Sequence, residues 1–265
     1  RRAEQERPTR ARRTSAGPLL YSGDMAGTIV DMHIHTTAGA SDSGLSPEDL
    51  AEEAKKRGLT GVNITEHDRL WDTYKLNEYR ERHSPLFVNN GMEVSTDLGH
   101  MIVVGLKAYV GGIRRAEELR RVLDEIGGYM VVAHPFRHWF DPVYFRKQGK
   151  EPFTMTPEQA AERMPVFGLV DAIEALNGAN TPRENLFALR VATVLGKPVT
   201  GGSDAHSTSG IGFYCTVFEE ELRTPGDMLR ELHARRFHAH HGLLQNNLTY
   251  FTEDSLEQAA PGLAT

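Results

Sequence analysis

One cysteine in 265 residues, Cys215, excludes an internal disulfide framework and a Cys-rich zinc site. Any bound metal must then be held by His, Asp and Glu, and the chain has 12 histidines to draw on. No apolar run approaches the ~18 residues of a membrane span. The first thirteen residues hold six arginines against two glutamates and no apolar h-region, so no secretory signal is expected. With a single thiol, the expected compartment is the cytoplasm, away from membranes. A net charge of −6 gives no general reason to expect nucleic-acid binding. Two motifs are missing as well: G-x-G-x-x-G after the first strand and G-x-x-x-x-G-K-[ST] anywhere. Their absence removes the phosphate-cradling loops of open doubly wound sheets. No repeat of solenoid length is visible.

What remains is an ordinary globular composition, 39% hydrophobic and 25% charged. Residues 1–27 show no sustained periodicity and read as a disordered leader; a basic arm for phosphate or nucleic acid is the sharper alternative. From residue 28 strand-like and helix-like segments alternate. "TIVDMHI", "TGVNITEHD", "SPLFVNNGMEVST", "HMIVVGLKA", "YMVVAHP", "GLVDAIEALNG" and "KPVTGGSDAH" read as strands. "SPEDLAEEAKKRG" reads as a helix with Ser46 as N-cap, Pro47 in the first turn and Gly58 as its stop. "RRAEELRRVLDEIGG" puts Leu119, Leu123 and Ile126 on one face, with a Glu117–Arg121 pair outside. "TPEQAAERM" carries a Thr156–Gln159 capping box, and Gly196 and Pro198 end the helix begun at "PRENLF". This alternation predicts an α/β fold of about seven units: a parallel sheet closed, or nearly closed, into a barrel over residues 28–245, with 246–265 as a C-terminal tail.

The chemistry-bearing residues collect at the strand ends. The first strand ends in His33 and His35, which share a face because strand side chains alternate. Two histidines side by side fill an apolar core poorly and hold a cation well. Asp42 follows in a Gly/Ser-rich turn. Later strands bring Glu66, His67 and Asp68, then Glu93, His134, Glu174 and Asn177, and finally Asp204 and His206. His100 stands at the start of its strand. Singly, each is most simply a hydrogen-bonded turn residue. Together, on successive strand ends with apolar strand bodies, they point to a polynuclear metal site at one mouth of the barrel, with first and last strands adjacent. His83, His138, His233, His238, His240 and His241 read as surface or packing residues.

"DMHIHT…SD", "TEHD", "MEVS", "AHP" and "GSDAH" resemble, in order, the motifs of the PHP (polymerase and histidinol phosphatase) domain, over about residues 29–240. The resemblance implies a distorted (β/α)7 TIM-like barrel with two or three divalent ions (Mn2+, Fe2+ or Zn2+), used in phosphoester hydrolysis. By motif position it implies His33, His35, Glu93 and Asp204 around one ion. Glu93 would bridge to a second ion completed by His100 and His134, and Asp42, His67 and His206 would hold a third.

Three divalent ions against Asp42, Glu93 and Asp204 leave the site at about +3, and two leave it at about +1, which suits a phosphate ester near −2 better than a neutral amide. The implied reaction is attack on phosphorus by a metal-bridging hydroxide. Arg137, just past "AHP", is the candidate cation for the phosphoryl oxygens. Asp68 or His206 is the candidate for the leaving-group side, with Asp68 alternatively steadying a ligating histidine, and Asn177 is a candidate phosphate donor. Trp139, Phe140, Tyr144 and Phe145, in the long stretch 136–153, either form a lid or pack the loop. The expected substrate is a small phosphometabolite, a nucleotide or an oligonucleotide end. Two rivals remain: an amidohydrolase-type C–N or C–O ester hydrolase, against which stands the lack of a strand-end lysine, and a non-catalytic metal-stabilised binding module.

Overall fold

The computed structural model describes residues 27–149 and 151–255, apart from the Phe145 side chain. The expected leader lies outside the described residues except for Gly27, as do residues 256–265. Ten strands form one sheet: β1 (Ile29–Ile34), β2 (Gly61–His67), β3 (Phe87–Thr96), β4 (Gly99–Val104), β5 (Tyr129–Val132), β6 (Ala172–Asn177), β7 (Val199–Gly202), β8 (Tyr214–Phe218), β9 (Phe237–His241) and β10 (Thr249–Tyr250). Their order is β10-β9-β8-β1-β2-β3-β4-β5-β6-β7. Among the described residues, eight α-helices accompany them: α1 (Pro47–Lys56), α2 (Thr73–His83), α3 (Ala116–Ile126), α4 (Pro142–Lys147), α5 (Pro157–Arg163), α6 (Val166–Leu169), α7 (Pro182–Leu195) and α8 (Pro225–Ala234). None of the described helices is long and apolar enough to cross a membrane.

The fold is mixed α/β, with the sheet curled into a half-barrel. Its two ends meet where β7 runs out beside β1. There a parallel Ile34–Ala205 bridge forms, with backbone bonds from Asp204 N to His33 O (2.8 Å) and from His35 N to Ala205 O (3.0 Å). The seam is tight: a Cβ on Gly202 would fall 2.6 Å from the Cβ of His33, so the second glycine of "GGSD" is what lets the seam close. Lower down, β8 pairs antiparallel with β1 and takes the edge a closing strand would need. The expected all-parallel sheet is corrected in two places: the β8–β10 extension pairs antiparallel throughout, and within the curl β4 runs antiparallel to both β3 and β5. The short "TDLG" turn between β3 and β4 leaves no room for the crossover a parallel pair requires. That reversal brings the start of β4, and His100 with it, to the mouth where its neighbours end.

Local signals explain most helix limits. Ser46 caps α1 by accepting from Asp49 N, and Thr156 and Thr181 make capping boxes with Gln159 and Glu184. Gly196 ends α7 in the left-handed conformation. On α3, Leu119 and Leu123 are buried as expected, but Ile126 is half exposed in the last turn. Arg121 pairs with Glu118 and Glu125 rather than Glu117. Helix α2 was not legible because it is largely charged; it buries only Leu76, Tyr79 and His83. Leu50, Ala51 and Ala54 of α1 join Leu76 and Tyr79 against Val62, Ile64 and Val88 on one side of the sheet. Leu119, Leu123, Phe136, Phe167 and the α7 side chains Leu186, Ala188 and Val191 form a second cluster with Met92 and Val94 of β3, on the same face as Val88. Each such large side chain contributes about 1.5–3 kcal/mol by leaving water. The start of the expected tail is packed: β10 pairs with β9, and Phe251 is buried.

Candidate metal centre

Glu93, near the end of β3, is the hub. Its carboxylate is 1% exposed and lies within 3.4 Å of five imidazoles. Oε2 is 3.4 Å from His33 Nε2, 3.2 Å from His35 Nε2 and 3.0 Å from His67 Nδ1. Oε1 is 2.9 Å from His100 Nδ1 and 3.0 Å from His134 Nε2. Asp204, delivered across the seam, places Oδ1 3.5 Å from His33 Nε2 and 3.4 Å from His35 Nε2, and Oδ2 3.9 Å from His134 Nε2. Four triads of ligand atoms are close enough to share an ion: His33–His35–Glu93, His33–His134–Asp204, His67–Glu93–His100 and His35–His67–His206. His134 thus belongs with Asp204 as well as with Glu93, and His67 joins Glu93 and His100. Asp42 stands apart from these groups, 56% exposed, with Oδ2 3.4 Å from His67 and 3.6 Å from His206.

The donor chemistry fits a cation. His33 Nδ1 donates to Glu174 Oε1 at 3.0 Å, because a carboxylate can only accept. That fixes the tautomer and turns the Nε2 lone pair of neutral His33 toward His35 Nε2, 3.0 Å away. Glu93 Oε2 and Asp204 Oδ1 face the same point. Acceptors crowded against acceptors need a proton or a metal ion among them. His35 Nδ1 is buried without a hydrogen-bond partner among the described residues, so only the Nε2 edge of that ring meets carboxylates. The electrostatics agree. Burial alone would lower the His33 pKa, but Asp204, Glu174 and Glu93 raise it well above the ordinary imidazole value. Burial alone would raise Glu93, but His33, His100 and His134 hold it well below the carboxylate range. Asp204 is likewise held far down against burial, by His33, His35 and Arg137. His134 is pushed down, chiefly by burial.

Three site residues, Asp68, His134 and Asp204, adopt positive φ (50°, 30° and 54°). Non-glycine residues pay for that conformation, and such strain concentrates where side chains must be aimed.

The other candidates divide. Arg137 is at the centre: Nη2 bonds Asn177 Oδ1 at 2.7 Å and pairs with Asp204 Oδ2, and Nε bonds Asn180 Oδ1 at 3.2 Å. A two-pronged grip on phosphate is therefore not open to it; Nη1 and its charge remain. Asn177 is fully buried, donating to Glu174 Oε2 and accepting from Arg137 and Ala179 N. Asn177, the candidate phosphate donor, thus ties Arg137 to Glu174. Asp68 holds no histidine: it accepts from Ser95 N at 3.0 Å and pairs with Arg114 at 2.7 Å. His206 reaches Asp42, and its Nδ1 lies 3.0 Å from Asp204 O. Trp139 and Phe140 pack the loop against Phe153 and Phe187 rather than forming a free lid.

Two carboxylates have roles the strand-end pattern did not assign. Glu174 orients His33 and accepts from His134 N at 2.9 Å. Glu66 accepts from Thr36 N, Thr36 Oγ1 and Trp71 Nε1, anchoring the loop after β1. The available signal was a carboxylate inside an otherwise apolar strand, as in "AIEALN".

The PHP domain model matches residues 31–153, and the PHP-associated model matches residues 182–237. No curated protein matches the chain. Among solved structures, a two-domain protein from Bacteroides vulgatus containing a predicted PHP-like metal-dependent phosphoesterase is 18% identical, with a TM-score of 0.55 over 88% of this chain and 70% of its own. A protein from Bifidobacterium adolescentis assigned as a metal-dependent phosphoesterase is 20% identical, with a TM-score of 0.53 over 78% of this chain and 96% of its own. PsfC from Pseudomonas syringae is 19% identical, with a TM-score of 0.53 over 77% of this chain and 88% of its own. At such identities these likenesses speak for the fold. The two model matches fall in chain order on strands that carry the polar mouth and together span more than half of the chain, and they lead to one assignment: the chain belongs to the PHP domain family.

Proposed function

We propose that this protein is a phosphoric ester hydrolase working with two or three divalent ions, Mn2+, Fe2+ or Zn2+. The observation that carries it is Arg137: a guanidinium set on Asp204 at the edge of an acceptor-lined centre. An amide substrate enters the site neutral, whereas a phosphate ester brings close to two negative charges for that cation to meet. His33, His35, Glu93 and Asp204 would hold one ion, Glu93 with His100 and His134 a second, and Asp42 with His67 and His206 a third. Bound divalent ions would supply a water of lowered pKa and charge to draw on the phosphoryl oxygens.

The chain's own residues do the rest. Glu174 holds the Nδ1 proton of His33, so Nε2 stays a ligand. Asn177 locks Arg137 in place before substrate arrives, so its charge need not reorganise as phosphoryl charge develops. His206, a third exposed, is the group we assign to the leaving-group side in any state that leaves it unligated. We take the curled sheet as the family's distorted (β/α)7 barrel with its fourth strand reversed, and the cytoplasm as its compartment.

The test is phosphate release from p-nitrophenyl phosphate, run beside p-nitrophenyl acetate, after chelation and after return of each metal. Phosphate release that chelation abolishes and metal restores supports the proposal. Preference for the acetate, or indifference to prolonged chelation, refutes it.

A further inference from the structure

Beside the centre lies a cavity of about 530 Å3, within the usual range of small-molecule sites. His100, His134 and Arg137 form its inner wall, so any ester seated at the centre has this space next to it. Leu98, Met164 and Val166 add apolar lining. Two flat surfaces complete it. Trp139 is fixed by edge contacts to Phe136 and Phe153, with centroids 5.7 and 4.8 Å away. His138 and Tyr144 stack with centroids 5.2 Å apart and 29° between planes.

We infer that this cavity receives the alcohol part of the substrate and selects a flat, largely apolar one, an aromatic ring above all. The inference deepens the phosphoesterase proposal and rests on it. A polyol placed here would lose hydration and leave hydroxyls unpaired against Leu98, Met164 and Val166. A ring loses nothing comparable and gains contact with flat walls. A second phosphate is disfavoured, because Asp97 also lines the cavity and, among the described residues, no cation pairs with its carboxylate, which accepts from the Ala116 amide.

Calorimetry of the metal-loaded protein with benzylphosphonate and 2-hydroxyethylphosphonate tests this without turnover, since neither C–P bond is hydrolysed. Benzylphosphonate is expected to bind at least ~10-fold tighter, the scale on which apolar pockets discriminate. The advantage should shrink at least ~3-fold in Tyr144→Ser and in Met164→Gln, both at partly or fully exposed side chains. Equal affinities, or an advantage untouched by both variants, overturn the inference. Phosphate release from benzyl phosphate and glycerol phosphate then separates the two readings. A benzyl advantage in binding with no phosphate released from either ester keeps the cavity assignment and retires the phosphoesterase. Release from both at equal kcat/KM, with equal phosphonate affinities, retires the cavity assignment alone.

Discussion

The chain carries H-x-H twice on a strand: His33 and His35 on β1, and His238 and His240 on β9. The first pair sits where the sheet's two ends meet, with Glu93, Asp204 and Glu174 around it. The second sits in the antiparallel extension. There His238 reaches the exposed Glu219, at 3.5 Å, and the edge of the Tyr250 ring, and His240 is buried beside Cys215. The same spacing gives opposite electrostatics: carboxylates raise His33, while burial pushes His240 down to about 4. Spacing puts two imidazoles on one face; what makes them a cation site is the anions brought by distant strands.

Removing an anion from the first pair should therefore do the most damage. Asp204→Ala is expected to lower turnover at least ~10²-fold with the fold retained, by loss of metal and of the Arg137 anchor. Phosphate release together with elemental analysis checks it; near-normal activity and metal content would show that the imidazoles suffice. Next in size is Glu174→Gln, which leaves His33 Nδ1 without its carboxylate. Metal affinity should fall ~10–100-fold in a competition titration, the usual cost of losing a ligand's supporting partner. Metal removal should then lower the melting temperature by about 5–15 °C, because an ion that binds only the folded state stabilises it by mass action. His240→Gln should show the same drop on chelation, and Asp204→Ala almost none. An equal drop in all three would mean that the metal sits elsewhere.

Much of the site was legible because strand ends announce themselves: an apolar run followed by His, Asp or Glu. His33, His35, His67, Glu93, His134, Asp204 and His206 all lie at such ends, and β1 meets β7 as the alternation predicts. His100 fitted the pattern only once β4 was seen to run backwards, a reversal carried by a tight turn rather than by periodicity. The extension β8 to β10 was illegible, since its short strands, set on either side of α8, look like loop. Asn177 and Asp68 stayed open for a different reason. A polar residue at a strand end is equally suited to touch substrate or to hold a neighbour, and only the partner decides. Asn177 spends its amide on Glu174 and Arg137, and Asp68 spends its carboxylate on Ser95 and Arg114.

The smallest expected effect sharpens the comparison from the other side. Because burial lowers the His240 pKa to about 4 while an unfolded chain titrates near ~6.5, the unfolded state binds one more proton between those values. Its contribution to stability is therefore intact above pH ~6.5 and is lost as the pH falls toward 4. His240→Gln removes that proton, so the drop in unfolding free energy between pH 7 and 4.5 should be smaller in the variant by about 1–3 kcal/mol. Denaturant unfolding of metal-free protein at both pH values measures it, with His238→Gln, on the half-exposed partner, as the matched control. Should the two variants show the same pH dependence as the parent, His240 is not the imidazole that burial keeps neutral. The contrast with His33 would then rest on position in the fold and not on charge.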